Sequence, residues 1–130
     1  MTADTAGIIE RLRNATGADR ELDRDIAEAV GYEWPGMSPS ALRLMAEGER
    51  RGMIVAPFYT ASIDHALSLV PEDMGFSICT HIRGLPPGAM VSVDEGDPER
   101  DVQANGATPA IALCIAALLA RQAREGAGDA

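Results

Sequence analysis

Apolar residues recur with helical spacing in two stretches near the start of the chain. Residues 5–15 place Ile8, Ile9 and Leu12 on one face, which is typical of an amphipathic helix. Residues 20–30 repeat the pattern with Leu22 and Ile26, after an aspartate, Asp19, that is suited to cap the helix. The short connection predicts an antiparallel hairpin or a tight corner between the two helices.

Two further helices begin at hydroxyl residues. Thr60 precedes an apolar repeat that runs to about Val70, and Thr108 followed by Pro109 precedes a second one that runs to about Arg124. A threonine at such a position can accept from the free N–H groups of the first turn, and proline loses no hydrogen bond at the first helical position. The last helix is apolar around most of its circumference, so we expect several elements to bury it.

Between these two helices, apolar residues recur at every second position instead of with helical spacing. Residues 74–83 and 89–93 alternate apolar and polar side chains, which predicts an antiparallel pair of strands. Residues 94–106 are rich in Asp, Gly and Pro and are predicted to form an exposed loop. In residues 31–57 the pattern indicates only a short helix from about Ser38 and a short edge strand over 53–56.

These elements predict an α/β (α+β) fold in which helices sandwich a small antiparallel sheet. The expected order is α-α-(short α/β)-α-β-β-α, in one domain over residues 1–125 with a disordered tail over 126–130. A domain of 130 residues is long enough to bury roughly two-thirds of its unfolded surface, so no disulfide or metal is needed for stability.

Composition narrows the classes of function. The net charge is −9, and arginine is the only basic side chain besides two histidines. This balance argues against sequence-independent nucleic-acid binding, which needs many cations against phosphate. The amino terminus has no basic region followed by an apolar run, so we expect a cytoplasmic protein with Cys79 and Cys114 reduced.

Three stretches of the chain resemble the phage ABA sandwich domain family. They are residues 15–23 (ATGADRELD), 59–71 (YTASIDHALSLVP) and 107–118 (ATPAIALCIAAL). The resemblance implies an α/β sandwich of phage or prophage origin and no established activity. It carries no catalytic residue over to this chain, because the matching positions are caps and core residues.

The candidate binding residues are Tyr59, Thr60, Ser62, Trp34 and Thr108. Residues 59–62 combine hydroxyls and an aromatic ring at a predicted helix start, where free N–H groups attract anions. The simpler interpretation is a capped helix with Tyr59 packed beside it, and the same two interpretations apply to Thr108. Trp34, with Tyr32, Phe58 and Tyr59, forms either a stacking surface or the end of the core.

Catalytic and metal sites have weaker support. Cys79 and His81 lie two residues apart on one strand face, but such a pair needs a third group to orient proton transfer. A zinc site drawing on His65 would need three or four convergent ligands, and the acidic residues of 94–101 lack the spacing of a calcium-binding loop. We therefore predict no catalytic residue, no metal and no cofactor.

Three functions remain open from the sequence. The favoured one is a non-catalytic binding protein with a phage accessory role that contacts a host or phage component, without a membrane and with homo-oligomers allowed. The first alternative is a sponge that sequesters a small nucleotide-like signalling ligand. The second alternative is a small hydrolase-type enzyme that uses Cys79 and His81.

Overall fold

The computed structural model describes residues 5–30, 58–79, 84–94 and 96–128, with side chains through residue 124. The described helices are α1 (Thr5–Asn14), α2 (Arg20–Val30), α3 (Ile63–Leu67) and α4 (Pro109–Gly128). The strands are β1 (Gly75–Cys79), β2 (Gly88–Ser92) and β3 (Val102–Asn105), with a 3₁₀ helix (Pro98–Arg100) before β3. The predicted α+β class is therefore confirmed.

Helix α4 is the centre of the core. Its residues from Ile111 to Leu118 are 0% exposed, because the helix packs on all three strands and also against α1 and α3. Thr108 caps this helix as predicted: its hydroxyl accepts from the Ile111 N–H at 3.2 Å. Pro109 is the first helical residue. The helix ends at Gly128, later than the predicted end near Arg124 and within the segment predicted as a disordered tail.

The three strands form an antiparallel sheet in the order β1-β2-β3. One face, which we call the inner face, carries Ile78, Ala89, Val91, Val102 and Ala104, which belong to the core or pack against it. Phe76 lies on the same face opposite Val91 and is 50% exposed. Ser77, Gln103 and Asn105 on the opposite face are exposed. The described helices thus form a layer on one side of the sheet only, and the predicted short helix and strand of 31–57 lie outside the described residues.

The prediction of a loop over residues 94–106 was wrong for its second half. Residues 98–100 form the 3₁₀ helix and residues 102–105 form β3, paired with β2 from Val102 opposite Val91 to Asn105 opposite Gly88. The polar composition concealed an alternating Val-Gln-Ala-Asn segment. Its backbone groups find ladder partners only when β2 lies beside it, so local propensity alone did not predict the strand.

The interpretation of Thr60 as a helix cap was also wrong. Ser62 is the cap of α3, and its hydroxyl accepts from the His65 N–H at 3.3 Å. The helix ends at Leu67 rather than near Val70. Thr60 is instead 1% exposed and bonds to residues of α2, so a tertiary contact replaces the local one that the sequence suggested.

Candidate binding site

A cavity of about 380 Å³ lies on the face of the sheet opposite α4. Six side-chain positions of this outer face border the cavity, in two rows across the strands. One row is Ser77, Met90 and Gln103, and the other is Cys79, Gly88 and Asn105. Directly opposite residues in antiparallel strands have Cβ atoms about 5 Å apart, so each row forms a continuous strip of side chains.

Gly88 is the central residue of its row, between Cys79 and Asn105, and its lack of a side chain leaves room for the Asn105 amide. A Cβ atom at this position would lie 3.1 Å from the Asn105 Nδ2 and 3.5 Å from the Ala104 carbonyl oxygen. The Asn105 amide thus extends over the glycine, and a larger residue at position 88 would displace it.

The amide nitrogens of the outer face donate within the protein. The Nδ2 of Asn105 donates to the carbonyl oxygens of Pro87 at 3.3 Å and Pro86 at 3.5 Å. The Nε2 of Gln103 donates weakly to the Met90 sulfur at 3.6 Å. Within the described part of the chain, neither the Asn105 Oδ1 nor the Gln103 Oε1 accepts a hydrogen bond.

The described lining of the cavity carries no arginine and no carboxylate. Its polar groups are the Ser77 hydroxyl, the Cys79 thiol and the two amides, and Met90 supplies the main apolar surface. Ser77 is exposed and Cys79 is half-buried. This chemistry is suited to hydrogen bonding with a small ligand, and its volume lies within the range of small-molecule sites.

Tyr59 and Thr60, both predicted binding residues, are buried in the structure. Tyr59 is 1% exposed, and its carbonyl oxygen accepts from the Cys114 thiol at 3.2 Å. Thr60 donates its N–H and its hydroxyl to the Asp23 carboxylate, and the hydroxyl oxygen accepts from the Asp19 N–H at 2.8 Å. The polar groups of Thr60 that were expected to face an anion are thus used inside the protein.

The other predicted binding residues do not join the outer face. Ser62 and Thr108 cap α3 and α4 respectively, and Trp34 lies outside the described residues. Phe58 stacks on His65 with ring centroids 5.8 Å apart, and the Arg20 guanidinium lies 4.1 Å from the Phe58 centroid. Phe58 therefore packs between Arg20 of α2 and His65 of α3.

His65 has a structural partner of its own. Its Nδ1 accepts from the Phe58 N–H at 2.7 Å, which closes the turn that leads into α3. His81 lies outside the described residues, so the structure does not test the alternative in which Cys79 and His81 act together. Cys114 is 0% exposed, as predicted for a small buried side chain, and burial raises the pKa of its thiol.

The acidic segment after β2 uses its carboxylates locally. Asp94 accepts from the Gly96 N–H at 2.9 Å, and Asp97 accepts from the Glu99 N–H at 3.1 Å. Asp94 also lies 3.6 Å from the Arg100 guanidinium. Among the described residues, no group of three or more His, Cys, Asp or Glu side chains is placed to hold a metal ion.

The sequence indicated only part of the outer face. The alternation in β1 predicts that Ser77 and Cys79 share its polar side, but the prediction of a loop over residues 94–106 gives no role to Gln103 and Asn105. The signal for these two residues is the alternation of Val102 and Ala104 with two amide side chains. The sequence pattern around Gly88 indicates only a turn.

None of the helices described here is both long and apolar enough to cross a membrane. Comparison of the chain with protein-family models, with curated proteins and with solved structures finds no match.

Proposed function

We propose that this chain is a non-catalytic binding protein that holds a small ligand on the outer face of its sheet. The observation that carries the proposal is the cavity over Gly88, bordered by hydrogen-bonding side chains whose backbone is held in a sheet. A site on paired strands keeps its geometry without the ligand, so little ordering free energy is lost on binding. An accessory role in a phage or prophage, as the resemblance implies, is part of the same proposal.

The lining supports binding in preference to catalysis. Cys79 is the one thiol in the described lining of the cavity. Neither row of the outer face contains a described basic side chain that could take its proton. A thiol needs such a base, or a cationic neighbour, to become a reactive thiolate. The Nδ1 of His65 already accepts a hydrogen bond from the Phe58 N–H.

The nucleotide sponge has less support. Phosphate groups are recognised by arginine, lysine and backbone N–H donors. The described cavity lining contains neither cation, and the amide nitrogens of Gln103 and Asn105 already donate within the protein. An aromatic ring to stack a base is also missing from that described lining.

Ligand capture with two matched variants tests the proposal. The purified protein is incubated with a bacterial small-molecule extract, washed, denatured, and the released compounds are identified by mass spectrometry. Ser77→Trp fills the outer face at an exposed position, whereas Ser68→Trp adds the same ring at an exposed serine outside the sheet. We expect one compound retained by the native chain and by Ser68→Trp and lost from Ser77→Trp.

Two results would overturn the proposal. If Ser77→Trp retains the compound as well as the native chain does, the binding site does not lie on the outer face. Release of a compound that the protein has chemically converted, at a rate that depends on Cys79, would favour the enzyme. Circular dichroism and thermal unfolding show whether both variants remain folded. Loss of the compound from a folded Ser77→Trp can then be assigned to the filled cavity.

A further inference from the structure

The hydrogen-bonding direction of the outer face specifies the kind of ligand it takes. Both amide nitrogens are directed at acceptors of the protein itself, Pro86 and Pro87 for Asn105 and the Met90 sulfur for Gln103. A primary amide has two N–H groups, so Gln103 keeps its carbonyl oxygen and one N–H, whereas Asn105, whose nitrogen has two carbonyl partners, keeps its carbonyl oxygen. A ligand that binds both oxygens must supply a hydrogen-bond donor to each.

The charge of the molecule adds a second constraint. The chain carries a net charge of −9, so its overall field favours the approach of cations over that of anions. An anionic ligand would meet this field and two amide oxygens without a compensating cation in the described lining. A protonated amine meets acceptors and a favourable field together.

The positions of the two amide side chains along β3 add a third constraint. Gln103 and Asn105 lie on the same face of β3 with one residue between them, so their Cα atoms are about 7 Å apart along the strand. Met90 lies directly opposite Gln103 in the adjacent strand and offers an apolar thioether beside that acceptor. A short alkyl chain with an ammonium group at each end matches two acceptors at this spacing beside an apolar surface.

On the basis of the proposed function, we infer that the outer face binds a short aliphatic diamine or polyamine through the amide oxygens of Gln103 and Asn105. The ammonium groups donate to these oxygens and the methylene groups pack on Met90.

Two probes distinguish this inference from unspecific attraction of cations. Putrescine carries N–H donors on a four-carbon chain. The bis(trimethylammonium) compound of the same chain length carries the same charge without any N–H donor. ¹⁵N-edited NMR follows each titration through the side-chain amide signals of Gln103 and Asn105, since these signals report directly on the proposed contacts.

Putrescine is expected to shift both side-chain amide signals in a saturable way, and the quaternary compound is expected to bind at least tenfold more weakly. Gln103→Leu removes one acceptor and should weaken putrescine binding about tenfold, the equivalent of 1.4 kcal/mol. Gln103→Glu keeps the acceptor and adds charge, so it should bind more tightly. Gln122→Leu, the same change on α4, serves as the matched control and should leave binding unchanged.

Equal binding of the two probes, or shifts centred on the acidic residues 94–101, would overturn the diamine inference. So would binding that Gln103→Leu leaves intact. If the extract experiment yields an outer-face ligand that is not an amine, the diamine inference fails and the proposed function stands. If neither an extract compound nor putrescine depends on the outer face, both fail.

Discussion

The carboxylate of Asp23 accepts both the N–H and the hydroxyl of Thr60, each at 2.8 Å, across 37 residues of chain. Asp23 is 0% exposed, and its second oxygen accepts from the Arg20 guanidinium at 2.9 Å. These bonds join α2 to the turn before α3 with every donor and acceptor paired. A buried carboxylate is tolerated only when it is so satisfied.

Loss of either member of this pair should destabilise the protein strongly. Asp23→Ala leaves the Thr60 N–H without an acceptor and the Thr60 hydroxyl with only the longer bond to the Asp19 carbonyl oxygen, and it should lower the free energy of unfolding by about 3 kcal/mol. Thr60→Val removes the hydroxyl and should lower it by about 2 kcal/mol. Chemical denaturation followed by circular dichroism measures both.

Thr60→Ser is the control. Because it retains the hydroxyl donor, it should lower the free energy of unfolding less than Thr60→Val does. The double variant Asp23→Ala with Thr60→Val should be less destabilised than the sum of the two single variants, because the residues contact each other. Simple additivity would show that the two residues act independently and that the pairing contributes little.

Gly106 should not tolerate a side chain. A Cβ atom at this position would lie 2.8 Å from the Ala112 nitrogen and 2.9 Å from the Ile111 Cγ2, so the entry into α4 would have to shift. Gly106→Ala should lower the free energy of unfolding by about 1–3 kcal/mol, as overpacking does. Thermal and urea unfolding test this.

Gly7→Ala is the matched substitution. It lies within α1, where no atom is within 4 Å of the added Cβ, and alanine favours the helix by about 1 kcal/mol over glycine. The two substitutions should therefore change stability in opposite directions. If Gly106→Ala is as stable as the native chain, the close approach of β3 and α4 is not as described.

The two thiols should differ sharply in reactivity. Burial, with a smaller contribution from the charge of Asp23, raises the pKa of the Cys114 thiol, whereas Cys79 is half-buried at the cavity. Only the thiolate attacks a disulfide reagent, so the folded protein should react with Ellman's reagent at one thiol and the denatured protein at two.

Cys79→Ser should abolish the reaction of the folded protein and leave one thiol after denaturation. Rapid labelling of Cys114 in folded Cys79→Ser would contradict its burial beneath Tyr59. The same assay in the presence of an outer-face ligand should show slower labelling of Cys79, because Cys79 borders the cavity.

Asp73 should titrate below an ordinary aspartate. A hydrogen bond from the Arg124 side chain, with a backbone hydrogen bond of its own, lowers the pKa of Asp73 from 3.8. Since the pKa is lower in the folded state, this ion pair contributes stability fully above pH 3.8, and the contribution is lost as the pH falls through the folded value. The carboxyl carbon shift of Asp73 followed by NMR measures it.

Arg124→Gln should raise the titration midpoint of Asp73 toward that of an unperturbed carboxyl. Glu72→Gln changes an exposed neighbouring carboxylate and should have a much smaller effect. An unchanged midpoint in Arg124→Gln would show that α4 and the segment before β1 are not joined by this pair.

Local signals in the sequence were enough for the helices that begin the chain and the helix that ends it. Asp19 caps α2 through the N–H groups of Glu21 and Leu22, and Thr108 caps α4, as the sequence predicted. The apolar circumference of α4 likewise predicted its burial between the sheet and two helices. These features depend on residues within one or two helical turns of each other, so they can be read along the chain.

Tertiary structure alone decided the role of Thr60, the existence of β3 and the position of the candidate site. The hydroxyl of Thr60 had a local use as a cap and a distant one at Asp23, and the buried carboxylate offered the stronger bond. β3 exists because β2 completes its hydrogen bonds, and strand pairing brings together the residues that line the cavity, with Gly88 between Cys79 and Asn105. Contacts between residues far apart in the chain cannot be predicted from hydrophobic periodicity or capping signals, because these patterns depend only on residues close together in the sequence.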